Sequence, residues 1–161
     1  MRKIWNRPAW PVWSLSTRDK EGVCNMNICT YVQVISMQPK KVMVAVYKDT
    51  KTLHTIQASP REKILLQLLP ESLAPTVRVL GRQSGFTVDK VKKLEKKYSI
   101  AYKEGLPYFT GSCGLMLFDS LQVVDVSGDH YLCIGEVVAS KNLSEETILT
   151  TDFLRDKNYI R

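Results

Sequence analysis

Lys48-Asp49-Thr50-Lys51-Thr52 packs two ammonium groups, two hydroxyls and a carboxylate into five residues. Asp or Thr suits a helix N-cap, and Leu53, Ile56 and Gln57 follow at helical spacing. Together they predict a short helix entered here and running to about Ala58. Free N–H groups, the helix dipole and ammonium charge at such an entry all favour a phosphate. An ordinary hairpin followed by a solvated turn uses the same residue types, so both readings stay open. Asn25, Asn27 and Thr30 stand before a neighbouring strand-like run and Ser36 stands after it. His130 closes Gly128-Asp129-His130, which is good turn chemistry by itself.

The familiar catalytic signatures are missing. There is no Gly-x-Gly-x-x-Gly and no P-loop, since Gly111-Ser-Cys-Gly114 has neither the spacing nor the lysine. No His-Glu-x-x-His and no Gly-x-Ser-x-Gly occurs. Cys24, Cys29, Cys113 and Cys133 form no Cys-x-x-Cys pair, and His54 and His130 complete no zinc spacing, so no metal is expected. Reduced thiols in apolar strand-like settings are the expectation.

The elements that must position these groups are mostly strands. Tyr31 to Ile35 and Val42 to Tyr47 are rich in β-branched and aromatic residues, with Gln38-Pro39-Lys40 as the turn between them. Val12 to Thr17 alternates like a strand that returns at Val23. Lys63 to Leu69 reads as a buried strand bounded by prolines. Glu71 to Leu80 has a helical pattern, with Ser72 as cap and Gly81 as terminator. Asp89 to Tyr98 holds five of the 23 basic residues and predicts an amphipathic helix with a solvated lysine face and Thr87 as cap. Gly105-Leu106-Pro107 reads as a loop. Gly114 to Val126 and Tyr131 to Ser140 form an antiparallel pair around Ser127-Gly128-Asp129. Ser144 is expected to cap a last helix, and Asp152 to Arg161 is a mixed tail, frayed or pinned to a partner. Six or seven mainly antiparallel strands without βαβ alternation predict a closed barrel with appended helices.

The 161 residues suit a single domain, 1–161, with 44% apolar and 24% charged residues. No apolar run approaches a membrane span and no secretory leader is evident, so a cytoplasmic location is expected. The net charge of +7 permits an anionic partner, but exposed aromatics and a groove-entering motif for nucleic acid are lacking. Trp5, Trp10 and Trp13 lie in a proline-interrupted arm, where they either cover a core edge or anchor a subunit contact.

Gly128-Asp-His-Tyr-Leu-Cys-Ile-Gly-Glu-Val137 resembles the hairpin characteristic of the flavin reductase-like, FMN-binding split-barrel family. Asn27-x-x-Thr30, then Val34-Ile-Ser-Met-x-Pro39, then Thr52 resemble its flavin site, and Gly81-Arg-Gln-Ser-Gly85 with Asp89-Lys90 resembles the segment between its barrel halves. The flavoredoxin branch is the most similar in appearance. The chain departs from many members in having Pro39-Lys40 for Pro-Pro and Phe118-Asp119 for Glu-Cys.

The resemblance implies a mainly β fold, a six-stranded antiparallel Greek-key split barrel with appended helices. It also implies a homodimer with FMN near the subunit seam. Asn27 and Thr30 would meet the isoalloxazine or ribityl chain, and Ser36 with the Met37 backbone would meet the ring's polar edge. Lys48, Lys51 and Thr52 would hold the phosphate, and His130 would lie near the ring and the nicotinamide. The activity implied is NAD(P)H:FMN oxidoreduction, with NADH or NADPH as reductant. The alternative is an electron carrier that keeps its FMN and serves a redox protein partner. A basic barrel binding nucleic acid is a remote third, supported by charge alone.

Overall fold

The computed structural model describes residues 2–160, and only the backbone of Ser120; Met1 and Arg161, at the ends of the basic start and the mixed tail, lie outside them. Nine strands are present among the described residues. They are β1 (Trp13–Arg18), β2 (Cys24–Cys29), β3 (Val32–Met37), β4 (Lys40–Tyr47), β5 (Ile64–Leu68), β6 (Ile100–Lys103), β7 (Leu106–Phe109), β8 (Gly114–Asp125) and β9 (His130–Asn142). The helices are α1 (Lys51–Ala58), α2 (Val77–Arg82), α3 (Lys90–Glu95) and α4 (Thr151–Asp156), with 3-10 turns at Ile4–Asn6 and Glu71–Thr76.

Seven strands form one antiparallel sheet in the order β2-β1-β5-β8-β9-β4-β3, and β6 and β7 pair separately. β2 and β3 occupy opposite edges of that order, yet only Thr30 and Tyr31 separate them. The Cα steps from Cys29 to Val32 span at most about 11 Å. The sheet must therefore curl until its edges nearly meet, which gives the split barrel. Register shifts at Leu117/Phe118 and between Asp119 and Gln122 let the long β8–β9 hairpin bend with it. The curled sheet has seven strands where six are expected.

Alternation fills the barrel. Val42, Val44 and Val46 of β4 point inward with Leu15, Phe118 and Cys133, and α1 plugs one end with Leu53 and Ile56. A second core, with Met26, Leu69, Val77, Leu80 and Leu94, seats α2 and α3 outside β2. Gly81 allows this approach, because a Cβ there would fall 2.9 Å from Ile28 Cγ2.

Several local expectations are corrected. Glu71–Thr76 is 3-10 rather than α-helical, consistent with the amide proton that Pro75 lacks; α2 then runs through Gly81 to Arg82. Ser72 caps nothing and donates instead to Glu146. Asp89, not Thr87, caps α3 by accepting from the Lys92 amide at 2.9 Å. Gly105-Leu106-Pro107 belongs to the β6–β7 hairpin, whose turn uses positive φ at Glu104 and Gly105. Ser144 starts no helix. That segment bridges Pro70 and Pro11 through Ile148 and Thr150, and Thr150 caps α4. Leu154, Tyr159 and Ile160 pack the tail onto the second core.

Candidate functional site

The gap between the sheet edges opens into a cavity of about 380 Å³. Its apolar wall comes from Ile28 of β2, Ala45 and Val46 of β4, Val77 of α2, and Leu154 and Ile160 of the tail. Asn27, Thr30, Tyr47 and His130 add polar edges. Beside it lies a second hollow of about 250 Å³, between the start of α1 and the turn after α2. The two share Asn27, Tyr47, Gly81 and Arg82. The first lies within the range of small-ligand sites, about 300–1,000 Å³, and the second just below it.

The second hollow gathers hydrogen-bond donors and positive charge. Thr50 caps α1 by accepting from the Leu53 amide at 3.2 Å, which leaves the other early amides of the helix without intrahelical acceptors. Thr52 is buried, and its Oγ1 accepts from Asn25 Nδ2 at 3.1 Å, so its own proton is free to donate. Lys51, Arg82 and Lys90 bring positive charge against the single carboxylate of Asp49.

Lys90 breaks the expected lysine face. Its side chain turns inward, 3% exposed, and Nζ donates to Leu80 O at 2.6 Å and reaches Asn27 Oδ1 at 3.5 Å. Burial pulls its pKa down to about 8. Because Asn27 accepts with its oxygen, its Nδ2 is the group left to donate into the shared neck.

His130 stands at the start of β9, opposite Tyr47 in the ladder, with the Tyr31 and Tyr47 rings edge-on at 5.5 Å each. Its Nδ1 lies 2.7 Å from Asp129 Oδ1. A carboxylate only accepts, so Nδ1 carries the proton and Nε2 is the nitrogen left for a ligand. The same bond is the main reason Asp129 sits below its ordinary pKa. Turn bonding and a place in the cavity wall are thus both features of this residue.

The structure brings together Asn27, Thr30 and His130 around the first hollow, and Asn27, Lys51 and Thr52 around the second. Ser36 and Met37 end β3 away from both, and Met37 is 74% exposed. Lys48 lines neither; its amide donates to Asp129 O at 2.9 Å and so fixes the turn that carries His130. Asn25, Tyr47, Arg82, Lys90 and the tail are wall residues that sequence reasoning left without a site role.

Fold and hollows together define a split barrel whose cleft sets an apolar hollow beside a cationic, hydroxyl-bearing one. The chain belongs to the flavin reductase like domain family, whose pattern matches residues 5–153. The fold is shared with SgcE6, an NADH:FAD oxidoreductase from Streptomyces globisporus C-1027 (TM-score 0.80, 15% identity, covering 92% of this chain and 85% of that one). It is shared also with an FMN-binding protein from Thermus thermophilus (TM-score 0.74, 22% identity, covering 88% and 75%). A protein from Sinorhizobium meliloti 1021 has TM-score 0.77 and 18% identity over 91% of this chain, but this chain spans only 48% of its length. A search of curated proteins gives no match. Among the described residues, no helix is long and apolar enough to cross a membrane.

Proposed function

We propose that the chain binds FMN and reduces it with NADH or NADPH. The observation that carries this reading is the apolar hollow meeting the cationic, hydroxyl-bearing one at Asn27 and Arg82. A flavin ring needs an apolar wall and a polar edge; its ribityl phosphate needs an anion cradle. Here Ile28, Val46 and Leu154 wall the ring, Asn27 and Thr30 read its edge, His130 faces the nicotinamide, and Lys51 and Thr52 hold the phosphate. Lys48 positions the His130 turn, and Ser36 and Met37 make no contact in this reading. A bound flavin supplies a hydride acceptor, which no side chain of the protein can replace. The chain's own residues bind and orient. Lys90 fixes the Asn27 amide, Asn25 fixes the Thr52 hydroxyl, and Tyr31 and Tyr47 hold the imidazole in place.

The decisive experiment is anaerobic mixing of the FMN-loaded protein with NADH or NADPH while the visible spectrum is followed. Bleaching within seconds is expected. A yellow protein bleached only by dithionite or a reduced protein donor would replace the reductase by an electron carrier, and failure to bind FMN would remove both.

The same face supports a homodimer. Met43 and Ala45 of β4 pair with Ile134 and Leu132 of β9 on the side of the sheet away from the core. That row continues into the Tyr47–His130 pair at the site. Partly exposed apolar side chains in a continuous row of this kind suit a symmetric contact with a second copy. Light scattering at micromolar protein should give a dimer, and Ile134→Lys should give a folded monomer with weaker flavin binding. A wild-type monomer that still holds flavin would refute the dimer.

His130→Ala should slow flavin reduction or raise the KM for the nicotinamide by about tenfold, within the usual range for one polar contact. FMN affinity and Tm should hardly move, since the Asp129–His130 bond is solvent-facing. His130→Asn, which keeps a donor, should recover part of the loss. A wild-type reduction rate in the alanine variant, with a lower Tm alone, would make the residue purely a turn element.

A further inference from the structure

Flavin reduction leaves part of the first hollow without a task. Hydride transfer from a nicotinamide needs no acid, yet two phenols, Tyr31 and Tyr47, line the hollow beside His130. Tyr31 sits in the short link between β2 and β3, where its carbonyl accepts from the Ala45 amide at 2.9 Å. It is 46% exposed, and its ring meets the imidazole edge-on at 5.5 Å. Its hydroxyl makes no hydrogen bond among the described residues, so its proton is free. Tyr47 differs, because its hydroxyl is tied to Asp49, which pushes that phenol's pKa up.

We propose that the first hollow also takes a small carbonyl-conjugated alkene, which the reduced flavin converts to the saturated carbonyl compound, with His130 holding the carbonyl oxygen and Tyr31 protonating the α-carbon. The inference rests on the flavin reading above, which supplies the reductant. A place that sets a hydride-donating carbon against the flavin serves an accepting carbon equally well, once the oxidised nucleotide has left. An alkene needs two things more: a donor for its oxygen and a proton for its carbon. Asp129 holds Nδ1 of His130 at 2.7 Å, and the protonated ring carries a second hydrogen on Nε2 for the oxygen. Ile28, Ala45 and Val46 offer an apolar wall to the hydrocarbon part. Burial keeps the Cys29 thiol of the same wall protonated, so it presents no thiolate to add to the alkene.

The step balances. The β-carbon takes a hydride from the reduced flavin, and the alkene's π pair moves to form an enolate whose oxygen His130 holds. The enolate collapses to the carbonyl as its α-carbon takes the Tyr31 phenol proton. Water reprotonates the phenolate, and the oxidised flavin is ready for another NADH or NADPH.

The test uses α-methylcyclopentenone, whose α-carbon becomes a stereocentre on protonation. FMN-loaded protein is reduced anaerobically with stoichiometric dithionite, which bypasses the nicotinamide. It is then mixed with the enone while the return of the yellow colour is timed, and the product is resolved by chiral chromatography. Enone binding to the oxidised protein, where nothing can turn over, is measured by calorimetry. Wild type should bind the enone, regain its colour and release one enantiomer of α-methylcyclopentanone in excess. Tyr31→Phe keeps the ring against the imidazole. It should bind the enone as wild type does, regain its colour about 100-fold more slowly, the scale of one general acid, and give racemic product. His130→Ala should weaken enone binding by about tenfold. Reoxidation no faster than that of free reduced FMN, or a Tyr31→Phe variant with wild-type rate and product, would overturn the alkene reaction; bleaching by NADH or NADPH in the same preparation would leave the flavin reading intact. Failure to bind FMN would overturn both.

Discussion

Replacing Lys51 by Ala together with Thr52 by Val should weaken FMN by on the order of 100-fold or more and leave riboflavin nearly untouched. Each side chain offers the phosphate a charge-assisted contact worth about 1.5–3 kcal/mol. Lys51 is partly solvated and belongs at the low end of that range. Thr52 is buried with its hydroxyl oriented by Asn25, so little ordering remains to be done when the phosphate arrives. Val keeps the shape of Thr but leaves Asn25 Nδ2 without its acceptor, which should cost the apo protein about 1–3 kcal/mol. Stability must therefore be recorded beside affinity. Riboflavin is the control, because it has the same ring and ribityl chain and no phosphate. If both ligands lose affinity equally, the phosphate lies elsewhere and the variant has only loosened the first hollow.

The barrel strands and the helix entry at Thr50 were legible because they are local. The alternation of Val42, Val44 and Val46, and a helix opening on Thr50-Lys51-Thr52, need no knowledge of the rest of the chain. What was not legible depends on contacts between distant segments. The extended run after Leu143 follows from bridges to Pro11 and Pro70, which no window of sequence contains. The cavity wall contributed by Leu154 and Ile160 depends on the tail folding back over α2, where Arg82 donates to the Tyr159 carbonyl and the Arg78 guanidinium lies 5.4 Å from the Tyr159 ring centroid. Lys90 is the instructive case. It stands four residues before Leu94, on the apolar side of α3 rather than the lysine side, and helical phase alone shows this. Its charge made it look solvated. The face it shares with Leu94 is what buries it.

Lys90 should make flavin affinity depend on pH. The fold holds its pKa near 8, against an ordinary 10.5, by burying the ammonium. In the free protein the consequence runs one way. Between about pH 8 and 10.5 the folded chain has released a proton that the unfolded chain still binds, so stability rises with pH across that window and is insensitive to this group below it. A phosphate in the second hollow pulls the other way, because it favours the charged lysine. Affinity for FMN should thus be full at pH 7 and fall by on the order of tenfold by pH 9.5. The phosphate itself is a dianion throughout, its second pKa being about 6. Tyr47, at the neck, does not interfere, since Asp49 pushes its pKa above the ordinary 10.0. Lys90→Met keeps the length and apolar packing of the stem while deleting the charge. It should weaken FMN at pH 7, flatten the pH profile, and leave the Tm of the free protein at pH 7 unchanged or higher, because a buried charge is gone. Riboflavin should show no such fall with pH in the wild type. A Lys90→Met variant whose FMN affinity still drops between pH 7 and 9.5 as steeply as wild type would assign the titration to another group.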